Sequence, residues 1–136
     1  MVLDGVSNLD EWYNSFLFEE SLIDTDKIFT GFIEECFKAG EICPLRSIKG
    51  EQFKSTSRLQ SYIDGFLHEL EEEPIPVYLN STNYGAITRQ TLVTNGIFFA
   101  LYKPTTWPSF AKNLAELLNG NTTPAYNAYS ESWVLK

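Results

Sequence analysis

This chain is short of the residues that carry most enzymatic and metal chemistry. Its 136 residues include one histidine, His68, and two cysteines, Cys36 and Cys43. One imidazole and two closely spaced thiols do not make the four-ligand set of a zinc site. No Gly-x-Ser-x-Gly nucleophile turn occurs, and His68 is the only imidazole available to a serine as its base. No glycine-rich phosphate loop is present, so neither a cofactor nor a metal is expected. Long apolar runs are missing too. The longest, Gly96 to Tyr102, falls well short of the roughly 20 residues that a membrane helix needs. Basic residues are few, 10 against 18 acidic ones, for a formal net charge of -8. Such a surface does not attract nucleic acid or an anionic membrane, and both are excluded as partners.

What is present is a folded composition. Apolar residues make up 43% and aromatics 15%, enough for one domain with a real core. Four helices are predicted, near residues 25–39, 54–72, 88–102 and 107–119, on one core and with little or no sheet. In the first, Ile28, Phe29, Phe32, Ile33, Cys36 and Phe37 share a face, Asp24 is a good N-cap and Gly40 the C′ residue. In the second, Leu59, Tyr62, Ile63, Phe66, Leu67 and Leu70 form a clean stripe, before Pro74 and Pro76 force an extended segment. Thr88 is the expected N-cap of the third, whose buried side is Leu92, Val93, Gly96, Ile97, Ala100 and Leu101. Pro104 stops that helix, Trp107-Pro108 starts the fourth, and Gly120 ends it. Residues 78–86 read as a polar loop. The aromatic stretch from Asp10 to Glu20 reads as a short helix or a wrapping loop, and residues 124–136 as an irregular tail.

Few residues point to chemistry. His68 sits mid-helix near Asp64 and Glu72 and reads as a partly exposed helix residue. Ser61, about two turns away, is too far for proton transfer. The acidic clusters Glu34-Glu35 and Glu69 to Glu73 lack calcium-loop spacing and read as solvated faces. Cys36 and Cys43 flank Gly40, and a helix ending near Ala39 would turn the chain back and let them bond; two buried free thiols are the alternative. Asn80-Ser81-Thr82 and Asn121-Thr122-Thr123 fit the N-glycosylation acceptor pattern at Asn80 and Asn121. Phe98, Tyr102 and Trp107 read mostly as core, with lining of an apolar pocket as the alternative.

Taken in order, these marks resemble the lid region of secreted fungal and actinobacterial α/β-hydrolases of the tripeptidyl-aminopeptidase-like class. The stretch Leu101 through Trp107-Pro108 to Gly120-Asn121, together with Tyr84-Gly85, is similar to the last two lid helices. Asp24 to Lys27 with Gly31 to Cys36 is similar to the first lid helix and its cysteine, Cys43 to the family's second cysteine, and Pro74 to Val77 to the next helix exit. Val2 to Val6 is similar to the end of a core strand. Asp4 stands where some α/β-hydrolases carry their acid, although not this family. The resemblance implies a substrate-pocket lid of a serine hydrolase, peptidase-like and secreted. Its partners would be the hydrolase core and a peptide or apolar substrate, and no catalytic residue carries over. Met1 to Gly5 has no basic, apolar leader, so a missing N-terminal part is expected and the localisation of this chain itself is left open. The competing expectation is a free-standing helical protein that binds a partner or an apolar ligand. Aromatics left bare before residue 18 and after Tyr126 would favour the lid.

Overall fold

The computed structural model describes residues 8–14 and 22–130. Val2 to Val6, Asp4, Phe16 to Phe18 and Trp133 lie outside the described residues. The described chain is mainly α-helical. Six helices, α1 (Leu9–Asn14), α2 (Thr25–Lys38), α3 (Thr56–Glu72), α4 (residues 89–102), α5 (Trp107–Leu118) and α6 (Thr123–Tyr129), alternate with two small hairpins. These are β1–β2 (Ser47–Ile48 with Glu51–Gln52) and β3–β4 (Ile75–Asn80 with Asn83–Ile87), both antiparallel.

The predicted stripes become the core. Phe32, Ile33 and Cys36 of α2, Leu59, Ile63 and Leu70 of α3, Leu92, Ile97 and Ala100 of α4, and Leu114, Leu117 and Leu118 of α5 are buried. Ile28 is the exception on α2 and stands exposed. α2 packs on α3 and on the end of α4, and α5 packs between the loop after α2 and α6.

Capping is mixed. Ser55 caps α3 by accepting from the Arg58 N–H, and Thr88 forms a reciprocal capping box with Thr91 at the start of α4. Asp24 does not cap α2, because its carboxylate holds Lys27 Nζ at 2.6 Å instead. Gly40 and Gly120 both adopt positive φ just past α2 and α5, the left-handed stop expected there. Lys49, also at positive φ, precedes Gly50 in the β1–β2 turn, and its N–H donates to Asn119 Oδ1 at 2.7 Å.

Three further sequence expectations need correction. Residues 78–86 are not a polar loop. They belong to the β3–β4 hairpin, in which Tyr78 pairs with Tyr84 and Asn80 with Asn83, with a bulge between the two pairs. The tail is not irregular from residue 124, because Thr123–Tyr129 is a helix with Ala125 and Tyr126 buried. The third helix is not uniform, because its middle, Leu92–Phe98, is a π-helix.

α6 fits because two glycines make room for it. A Cβ at Gly85 would meet Tyr126 Oη at 2.7 Å, and one at Gly96 would meet Leu92, Phe110 and Tyr129 at 3.3–3.5 Å. Asn95 Nδ2 donates to the Tyr129 carbonyl at 2.8 Å, and Asn113 Nδ2 donates to Tyr129 Oη at 3.1 Å.

Candidate functional site

The two cysteines are bonded to each other, Cα to Cα 5.3 Å, so the free-thiol alternative is set aside. The bond ties the C-terminal turn of α2 to the segment after Gly40. Arg46 reinforces the tie, with its guanidinium 4.3 Å from the Phe37 ring centre and Nη1 donating to the Phe37 carbonyl at 3.4 Å. Leu45, two residues after Cys43, is fully buried and anchors the loop from its other end.

This tied loop forms one wall of an open groove of about 400 Å³. α2 supplies Phe32, Glu35, Cys36 and Ala39; the loop supplies Ile42, Cys43 and Pro44; the start of α5 and the turn before it supply Pro104, Trp107, Pro108 and Ala111. The lining is almost wholly apolar. Its one charge, Glu35, stands at the rim and hydrogen-bonds Lys38 Nζ at 2.6 Å, which raises the pKa of that ammonium. Trp107 is fixed on both sides. Its Nε1–H donates to the Ala100 carbonyl at 3.0 Å, and its ring meets Phe32 edge-on at 5.6 Å. Ile42 is 89% exposed, an unusual position for a large aliphatic side chain and one that lies on the groove wall.

Of the three aromatics singled out from sequence, Trp107 alone lines this groove. Phe98 and Tyr102 are exposed on α4 and meet each other edge-on at 5.1 Å. Phe98 and Tyr102 are four residues apart and share one face of α4, whereas Trp107 opens the next helix, α5. The groove residues that the sequence reading missed, Ile42 and Pro44 above all, flank Cys43 in the short irregular stretch between α2 and α3. Their only sequence signal is an aliphatic residue beside a cysteine.

His68 is exposed on α3, and its side chain makes no hydrogen bond or ion pair with a described residue. Among the described residues no three histidine, cysteine or acidic side chains cluster as metal ligands, and no helix is long and apolar enough to cross a membrane. Asn80 lies exposed at the tip of the β3–β4 hairpin, and Asn121 is exposed between α5 and α6. No protein-family model, curated protein or solved structure matches this chain.

Proposed function

We propose that this chain is a non-catalytic helical module of a secreted, disulfide-bonded protein, and that it receives an apolar group in the Trp107 groove. The observation that carries this reading is the groove itself. Its volume of about 400 Å³ lies in the range of small-ligand pockets, roughly 300–1,000 Å³. Two distant segments of chain converge on it, and the Trp107 indole N–H is already satisfied by the Ala100 carbonyl, so burying an apolar group against that ring strands no indole donor. The disulfide supports passage through an oxidising compartment, where such bonds persist.

The test is a fluorescence titration with the neutral apolar probe N-phenyl-1-naphthylamine. Saturable binding is expected, and Ala39→Trp should weaken it at least tenfold by filling the groove from an exposed position. Absence of binding, or binding indifferent to Ala39→Trp, defeats the proposal.

The lid of a serine α/β-hydrolase is the second reading, favoured by one observation. Leu9, Trp12, Tyr13, Leu22 and Ile23 are all exposed at the N-terminal end, as expected where a hydrolase core would cover them. The other end weighs the opposite way, because Tyr126 is buried and Tyr129 partly so. The genomic DNA on either side of the reading frame decides this point. A Gly-x-Ser-x-Gly codon run upstream supports the lid.

A further inference from the structure

We infer that Asn80 is the glycan-bearing residue of this chain and that Asn121, although it fits the same acceptor pattern, stays bare. The inference rests on the secreted reading above and adds a choice that the sequence pattern cannot make. N-glycosylation needs the asparagine Nδ2 as a nucleophile. It attacks the anomeric carbon of a lipid-pyrophosphate-linked oligosaccharide held by a transferase. The new C–N bond forms as the C–O bond to the pyrophosphate breaks. The lipid pyrophosphate leaves with the electron pair, and an Nδ2 proton passes to a base of the transferase.

The two asparagines differ in which end of the carboxamide is occupied. At Asn80 the oxygen is held. Oδ1 accepts from the Thr82 N–H at 3.0 Å and from the Thr82 hydroxyl at 2.9 Å. Nδ2 donates to no described residue. Two donors on Oδ1 stabilise the negative charge that this oxygen takes up as Nδ2 gives away its proton, and they fix the carboxamide in one orientation. At Asn121 the nitrogen is held. Nδ2 donates to the Glu116 carboxylate at 2.8 Å, and the Asn121 backbone N–H donates to the Glu116 carbonyl at 2.9 Å. A nitrogen hydrogen-bonded to a carboxylate must break a charge-assisted bond before it can attack.

Access differs in the same sense. Asn80 closes a two-residue turn at a hairpin tip, and the next rung, Tyr78 against Tyr84, is exposed as well. The hairpin is also local in sequence, so its tip can form early and without the rest of the chain. The Asn121 site runs straight into α6, where Thr123 is the first helical residue and Pro124 restricts the backbone beside it.

The full chain, sent through the secretory pathway of a eukaryotic cell behind a cleavable leader, tests this. Site occupancy is read by peptide N-glycosidase release in heavy-oxygen water and mass spectrometry. Occupancy at Asn80 should exceed that at Asn121 by roughly tenfold, the rate equivalent of breaking one hydrogen bond to a carboxylate. Asn80→Gln should remove nearly all glycan, and Asn121→Gln almost none. Glu116→Ala frees Asn121 Nδ2 and should raise occupancy there. Equal occupancy, preference for Asn121, or no response to Glu116→Ala overturns the inference while leaving the secreted reading intact. A disulfide-bonded secreted chain with no glycan at either site overturns the inference as well. Failure of the chain to leave the cell or to form the Cys36–Cys43 bond counts against the secreted reading itself.

Discussion

Replacing Gly85 with alanine probes the docking of α6 against the β3–β4 hairpin. The added methyl would lie 2.7 Å from Tyr126 Oη, and 3.3 and 3.4 Å from Cε2 and Cζ of the same ring. Gly85 does not need positive φ, so no backbone strain enters, and the contact alone sets the cost. Tyr126 is buried and its helix is held by Asn95 and Asn113 through Tyr129, so the ring cannot simply swing away. Overpacking of this kind costs about 1–3 kcal/mol. The gain from a less flexible unfolded chain returns about 0.4–1 kcal/mol. The net loss should be about 1.5 kcal/mol, or roughly 6 °C in melting temperature for a domain of this size. The second substitution, Tyr126→Phe, removes the hydroxyl and leaves only ring carbons at 3.3–3.4 Å, which small shifts relieve. Gly85→Ala should therefore be close to neutral in the Tyr126→Phe background. Urea denaturation of the four proteins yields the coupling energy, expected at about 1–1.5 kcal/mol. A Gly85→Ala cost that is the same in both backgrounds refutes the reasoning.

Three other outcomes are expected. Replacing both Cys36 and Cys43 with serine should cost about 2.5 kcal/mol, the chain-entropy value for so short a loop, and intact-mass analysis after non-reducing alkylation should find no labelled thiol in the secreted wild type. Burial raises the Tyr129 phenol pKa above 10.0, and the Asn113 hydrogen bond offsets part of that rise. The folded state therefore holds this proton more tightly than the unfolded chain. That contribution to stability is complete below pH 10 and is lost as pH rises through the folded value, so the advantage of wild type over Tyr129→Phe in urea should shrink above pH 10. A fluorophosphonate probe should leave the purified chain unlabelled; stoichiometric labelling that disappears on His68→Ala would show a serine activated by an imidazole and defeat the non-catalytic reading.

Local order was legible because it depends on neighbours in sequence. The stripes of α2, α3, α4 and α5 repeat at the helical period, and Gly40, Thr88, Pro108 and Gly120 mark ends by backbone chemistry that holds in any surroundings. The Cys36–Cys43 bond was within reach of the same reasoning, since a helix end and a left-handed glycine bring the two together. Tertiary structure decided the rest. The β3–β4 hairpin hides in a polar stretch, because of its residues only Val77 and Ile87 are buried and the alternation is too sparse to read. α6 is seven residues long, too short to be stable alone, and it exists by filling the spaces left at Gly85 and Gly96. The groove joins residues 32–44 to residues 104–111, a contact between segments whose sequences carry no sign of each other. The two acceptor asparagines are alike as triplets and differ only in which atom of the carboxamide the folded chain ties down. Periodicity and end chemistry are properties of a few consecutive residues, whereas cavities, docking and hydrogen-bond partners depend on which distant surfaces the core brings together.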